Sequence, residues 1–379
     1  MPEFLKLMES WDGYAPIGGT SIDEAAVARF LDLVTNKGRL PAHRQEYLLR
    51  EVITTSDFPS LFGFTLERDM LARYKAAVPD WKAYVRTGTV PNFNLAERHK
   101  VQGNDTLLPR VAEKGEYLVS PMAAGYYTRR VYKWGRQFDI SWEALVNDAL
   151  DAFGDVAQRF ADAVTYTRAY NATNLFCVAA GPNPALFGAA VVDAADAGVI
   201  TNVGVLPLTI LNLQTTLALM ARQVDISGRP LGIRGKHLVV PPDLEVAARQ
   251  ILTSAQITWT NAAPAVAVPL PTSNVIPQMG LQLHVNPLLP VIDGTGTDDT
   301  TWYLFADPVD GAAIQMDFLR GYEDPEICMK ASDKVASGGG AALSPFSGDF
   351  ATDNVFYRVR DVHGGVVLDP RMAYAQVGP

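Results

Sequence analysis

The sequence has few of the groups that mark a stapled, membrane-bound or catalytic protein. Its two cysteines, Cys177 and Cys328, stand far apart in 379 residues with no second Cys or His at ligand spacing. That leaves no disulfide framework or zinc site, and both thiols read as small buried apolar residues. No apolar run reaches the roughly 18 to 20 residues a membrane helix needs. The opening MPEFLKLMESWDGY lacks the basic flank and continuous apolar region of a secretory signal, so a cytoplasmic product without a membrane span is expected. Positive charge is also scarce. Lys and Arg number 19 against 16 Asp and Glu through residue 136, and 13 against 25 beyond it, for a net charge of -9. This is no basic nucleic-acid footprint; such a surface mostly repels phosphate and suits a container better than a binder.

Catalytic signatures are missing as well. There is no P-loop, no GxGxxG after a strand, no HExxH and no GxSxG. His43, His99, His237, His284 and His363 are scattered and read as surface or satisfied core residues. The polar loop at 293–299 (DGTGTDD) lacks the calcium-loop spacing, and the glycines at 338–340 precede alanines and no lysine. No catalytic, cofactor or metal site is expected, and the chain reads as a non-enzyme.

What the chain does have is a folded composition, 48% hydrophobic, organised around residues 131–176. There Tyr132, Trp134, Phe138 and Ile140 alternate as a strand laying one face on a core. After Ser141, a candidate N-cap, the apolar period becomes three to four through Trp142, Leu145, Ala149, Phe153, Phe160 and Val164, predicting one long helix to about residue 176. Gly154 can bend that helix without ending it. Ahead of it, residues 1–20 read as an arm, followed by helices at 21–38, 41–52 and 61–78. Residues 81–130 have turn signals, scattered charge and little apolar core, and predict a long hairpin projecting from the body. An isolated hairpin is marginal in water, so its surface is expected on another copy of the chain. Residues 177–206 read as a connector. Beyond them the pattern predicts helices at 208–222 and 242–253 and strands at 236–240, 281–285 and 302–306. The last part predicts an interrupted strand over 314–322 and 326–334, a Gly/Ser/Ala turn at 336–348 and a partner strand at 354–362.

The order of these features resembles the tailed-bacteriophage major capsid proteins of Hong Kong 97 type. The residues that carry the resemblance are 133–136 (KWGR), 140–150 (ISWEALVNDAL), 237–244 (HLVVPPDL) and 357–371 (YRVRDVHGGVVLDPR), while 54–71 is similar to the start of Mu-like head subunits. The resemblance implies an α+β fold: a long spine helix on a sheet (peripheral domain), an extended hairpin loop, a mixed α/β axial domain and an N-terminal arm. It implies the arm at 1–56, peripheral segments at 57–85, 131–199 and 319–362, the hairpin at 86–130, the axial domain at 200–318 and a return to it at 363–379. It further implies self-assembly as hexamers and pentamers into an icosahedral virion shell that encloses double-stranded DNA without specific binding. A separate scaffolding protein, a portal and a decoration protein are the other implied partners. Candidate inter-subunit contacts are Arg86, Arg98, Lys100, Arg110, Glu113, Lys114 and Glu116. Some relatives crosslink a hairpin Lys to an Asn of another subunit, but no matched Asn or Glu accompanies Lys100 or Lys114 here, so no crosslink is expected. An encapsulin-like shell housing cargo enzymes and a soluble α/β enzyme with an unrecognised site are the alternative readings.

Overall fold

A computed structural model describes residues 80–102, 110–111, 113–114, 116–117, 123–141, 150–259, 270–334 and 349–378. The expected arm and first three helices, the opening turns of the long helix at 142–149 and the turn at 336–348 lie outside the described residues.

The strands in chain order are β1 (Arg86–Val90), β2 (Ala96–Gln102), β3 (Ala123–Arg129), β4 (Tyr132–Ile140), β5 (Cys177–Val178), β6 (Gly181–Pro182), β7 (Val191–Val192), β8 (Val199–Ile200) and β9 (Val203–Gly204). They continue with β10 (Gly235–Val240), β11 (Gln256–Trp259), β12 (Leu270–Ser273), β13 (Gln282–Val285), β14 (Trp302–Ala306), β15 (Ile314–Leu319), β16 (Glu326–Met329), β17 (Val355–Val367) and β18 (Ala373–Gln376). The principal helices are α1 (Leu150–Asn174), α2 (Ile210–Ala221) and α3 (Glu245–Thr253). Two compact units result. The smaller draws on Arg136–Gln158 and Ile327–Val359, the larger on Leu71–Gly135, Arg159–Glu326 and Arg360–Pro379.

The larger unit is built on two sheets. In one, β1 runs parallel to β15, with Arg86 opposite Gln315 and Val90 opposite Leu319, and β15 runs antiparallel to β17, with Ile314 opposite Val367. Every residue of β15 is buried. Because side chains alternate along a strand, Ile314, Met316 and Phe318 enter an apolar cluster with Trp81, Tyr84, Phe176 and Phe305, while Gln315 and Asp317 face the other way. The second sheet has the order β13, β10, β14, β18, β9. Its β14, WYLFA, is the strand expected at 302–306, and it divides two cores by the same alternation. Tyr303 and Phe305 join the cluster around Phe176, whereas Trp302 and Leu304 join Leu213, Leu217 and Met220 of α2 and Ala248 and Ile251 of α3. Burying each such large side chain contributes about 1.5–3 kcal/mol. Thr209 starts α2 by accepting from the Asn212 N–H at 3.2 Å, so the helix begins two residues after the expected position. The expected helix at 242–253 opens instead as a 3₁₀ turn at Pro242–Leu244 before α3.

The long helix is present as α1 and runs through Gly154. Phe160, Ala161, Val164, Arg168 and Ala172 are its buried stripe. Arg168 has a polar destination: its Nε donates to Asp361 Oδ2 at 2.8 Å, while Asp361 also accepts from His363 Nδ1 at 2.9 Å and His363 Nε2 meets the Asn171 amide at 2.8 Å. Trp134 of β4 stacks on the His363 ring and donates its indole N–H to the His363 carbonyl. The β4 face expected to lie on a core is only half covered, however, with Tyr132 and Trp134 at 53% and 38% exposure. In the smaller unit Phe138 stacks on Tyr357 and the Asn354 amide donates to Asp139.

Two further expectations change. Residues 177–206 are not a loose connector: short strand pairs β5–β6 and β7–β8 fold there, β9 joins the second sheet, and Asn202 is fully buried, donating to the carbonyls of Leu186 and Pro370. An Ala, Gly and Pro-rich composition hid this because its order comes from turns and polar anchors, not from an apolar period. Of the two thiols expected to be buried, Cys177 is and Cys328 is half-buried.

Candidate assembly surface at the hairpin base

Among the described residues the hairpin comprises β2 and β3, antiparallel from Ala96 opposite Arg129 to Gln102 opposite Ala123. Arg86, expected to open it, lies in β1 and belongs to the sheet with β15. Alternation again sorts the side chains. Glu97, His99, Tyr126 and Thr128 point to solvent, while Arg98, Lys100, Gly125, Tyr127 and Arg129 share the covered face. That face is polar, which is why the sequence reads as a free projection, but each of its long side chains finds a partner on the larger unit.

Lys100 Nζ bonds Asp193 Oδ2 at 2.9 Å, Asp196 Oδ2 at 3.2 Å and Asp369 Oδ2 at 2.7 Å. Tyr127 Oη donates to Asp193 Oδ1 at 2.8 Å, and the buried Arg371 guanidinium reaches Asp193 at 3.0 Å and Asp196 at 2.7 Å. Burial works against the Lys100 charge, but Asp369 and Asp193 outweigh it and push the ammonium up to about 12. Burial likewise opposes ionisation of Asp196, and Arg371, the Gly198 N–H and Lys100 overcome it and hold the carboxyl down to about 2. Lys100 is therefore a protonated anchor and not a nucleophile. The close approach depends on Gly125, where an added Cβ would lie 1.6 Å from the Ala195 carbonyl oxygen. Tyr127, Asp193, Asp196, Asp369 and Arg371 were not singled out by the sequence, since they come from three distant segments; only the 369–371 DPR triplet carried a signal.

A second cluster sits nearer the start of the hairpin. Arg129 Nη1 donates to Asp317 Oδ1 at 3.1 Å, the Gln315 amide donates to the same oxygen at 2.6 Å, and Arg98 donates to Gln315 Oε1. Gly88 lies beneath them, because a Cβ there would stand 2.5 Å from both Asp317 Oδ1 and Gln315 Nε2. Among the described residues, Asp317 Oδ2 and Arg129 Nε are buried without a hydrogen-bond partner.

Of the candidate contacts, then, Arg86 and Arg98 come together, Lys100 is committed to its own chain, and Arg110, Glu113, Lys114 and Glu116 are all exposed toward the far end of the hairpin. Lys114 there takes a left-handed backbone, φ 61°. Among the described residues no group of acidic, His or Cys side chains is arranged to hold a metal, and no helix is long and apolar enough to cross a membrane.

The sequence model of a phage capsid protein family, "Phage capsid protein", matches residues 126–376, from within β3 to the end of β18. The chain belongs to this capsid protein family. Its α+β architecture is accordingly that of the Hong Kong 97 type, as the order of motifs suggested, and its general role is that of a virion shell-forming structural protein. Among solved structures, the capsid of cyanophage P-SCSP1u is 12% identical over 78% of this chain and 86% of that one, with a TM-score of 0.47. The mature capsid of bacteriophage PhiM1 is 8% identical over 79% and 86%, TM-score 0.47. The holo-SrpI encapsulin complex of Synechococcus elongatus is 9% identical over 80% and 88%, TM-score 0.45. No curated protein matches this capsid protein in sequence.

Proposed function

We propose that this chain is the major head subunit of a tailed double-stranded DNA phage, assembling with itself as hexamers and pentamers into a closed icosahedral shell, with no catalytic role. In this reading residues 200–318, with 363–379, form the axial part around the ring axes. The segments 57–85, 131–199 and 319–362 form the periphery, 1–56 is an arm, and the hairpin reaches an adjacent subunit. A scaffolding protein, a portal and a decoration protein complete the set of partners, and the DNA inside is enclosed without specific contacts.

The observation that carries the reading is the contrast along the hairpin. Its base is tied to its own chain through Lys100, Tyr127 and Arg129, while Arg110, Glu113, Lys114, Glu116 and Tyr117, the last 85% exposed, meet nothing described on that chain. Exposed side chains between two anchored strands are available to a neighbour, and ring symmetry turns one such contact into a closed assembly.

The test keeps the base and removes the tip. Replacing residues 103–122 with a short turn should leave a folded monomer by circular dichroism that forms no capsomers in electron microscopy or light scattering, whereas the unaltered protein forms shells. Intact shells from the shortened chain would sink the proposed role of the hairpin. Shells filled with a partner enzyme instead of nucleic acid would sink the phage-head reading.

A further inference from the structure

The Arg86, Arg98 and Arg129 side chains crowd one place on the larger unit, and their charges are not balanced by it. Gln315 and Asp317 form the floor, both about 99% buried, with Arg86 directly across the strand pair from Gln315. Among the described residues, three guanidinium groups face a single carboxylate, Asp317, whose one bonded oxygen already serves Arg129 and Gln315. Arg129 is mostly enclosed, with 20% of its side chain exposed; Arg98 is half-buried over Gln315; Arg86 is exposed and makes no ion pair among the described residues. Burial and the two neighbouring arginines, Arg86 first and Arg129 next, hold Arg98 below its ordinary value. Like charges gathered at a half-buried position cost stability unless an anion joins them.

We propose that this arginine cluster is a receptor for an Asp or Glu carboxylate of a second copy of this chain, with Arg86 and Arg98 as the two groups that grip it. The occupant follows from charge. The chain beyond residue 136 carries 25 acidic against 13 basic residues, so the excess charge that part of a neighbour brings is negative. A guanidinium pair is suited to such a group because its donors bind both oxygens in one plane. Buried in a subunit contact, the pair is desolvated and strengthens; left open in the free subunit, it repels itself. The site thus favours the assembled state twice, by attraction gained and by repulsion removed. It rests on the self-assembly proposed above.

Arg86→Glu separates this role from a structural one. In the free subunit the new carboxylate sits beside Arg98 and neutralises it, so the unfolding midpoint should stay the same or rise. Self-association should nevertheless weaken at least about tenfold in sedimentation velocity over a concentration series, the scale of losing one close charge pair at an interface. Arg86→Gln, which changes shape little, should give a smaller loss of the same sign and a flatter salt dependence than the unaltered protein. An unaltered protein that associates, beside both variants associating equally well with the same salt dependence, overturns the receptor and leaves the assembly reading standing. An unaltered protein that stays monomeric at every concentration overturns both. Duplex DNA that binds the unaltered protein and not Arg86→Glu assigns the cluster to phosphate and overturns the carboxylate.

Discussion

At the scale of single residues, two of the buried titratable groups illustrate how the protein responds to acid. Burial, with His284 beside it at 3.0 Å, holds His237 down to about 4 from an ordinary 6.5. Between those values the unfolded chain takes up a proton that the native one refuses, so stability falls as pH drops from about 6.5 to about 4. Asp361 behaves in the opposite chemical sense. Burial opposes its charge, yet the bonds from Arg168 and His363 win and hold it down to about 2 from 3.8. Its contribution is complete above about 3.8 and is lost as pH falls toward 2, about 2 kcal/mol in all. Urea denaturation across pH should therefore show two descending limbs. His237→Asn should flatten the upper one and Asp361→Asn the lower one, at the cost of stability near neutral pH for the latter because Arg168 is left buried. A single limb unaffected by either change would refute the assignment. The sequence offered His237 and His363 as surface or satisfied core residues, and both turn out bonded and buried. It could not reveal the distant partners, since His284 lies 47 positions from His237 and Asn171 lies 192 from His363, and no local period links them; of these partners only Asp361, two residues from His363, is near in sequence.

At the scale of elements, legibility followed the apolar period. The strand at 302–306 was readable as a short continuous apolar run, and the long helix because a three-to-four repeat survives over enough residues to be recognised. β1 was not. Its RTGTV has one buried apolar residue, Val90, and it earns its place by parallel pairing with a strand about 230 positions later. The hairpin was readable as a hairpin and misread at its base, because its inner face docks through charge. That docking makes a sharp prediction at Gly125. Its Cα approaches the Ala195 carbonyl so closely that a methyl group has no room. Gly125→Ala should push β3 away from the 193–198 loop, costing about 1–3 kcal/mol as overpacking does. It should also stretch the Lys100 and Tyr127 bonds to Asp193. Hydrogen exchange should then speed up at β2, β3 and residues 193–198 while β10 and β14 keep their protection. Exchange unchanged at the loop would mean the hairpin base is not anchored there.

At the scale of the whole molecule, the distribution of charge ties the fold to what a shell must do. In the role proposed above, a container for DNA, the shell has to hold its contents at high density and later let them go, and a subunit that gripped phosphate would oppose release. The net charge of -9, with the excess of acid concentrated after residue 136, disfavours such a grip over most of the surface. Binding of a protein to duplex DNA is dominated by neutralised phosphates and their released counterions, so affinity and its salt slope both follow the number of cations that reach the backbone. Here the main anchored cations are already spent: Lys100 and Arg371 on the Asp193 and Asp196 carboxylates, Arg168 on Asp361. Unassembled protein should accordingly fail to retard a short duplex in gel shift at about 150 mM salt, and any binding at low salt should show a slope equivalent to only a few phosphates. Tight binding at that salt would mean that the Arg86, Arg98 and Arg129 cluster or another basic surface grips phosphate, and would turn the protein from an enclosure into a DNA-binding lattice.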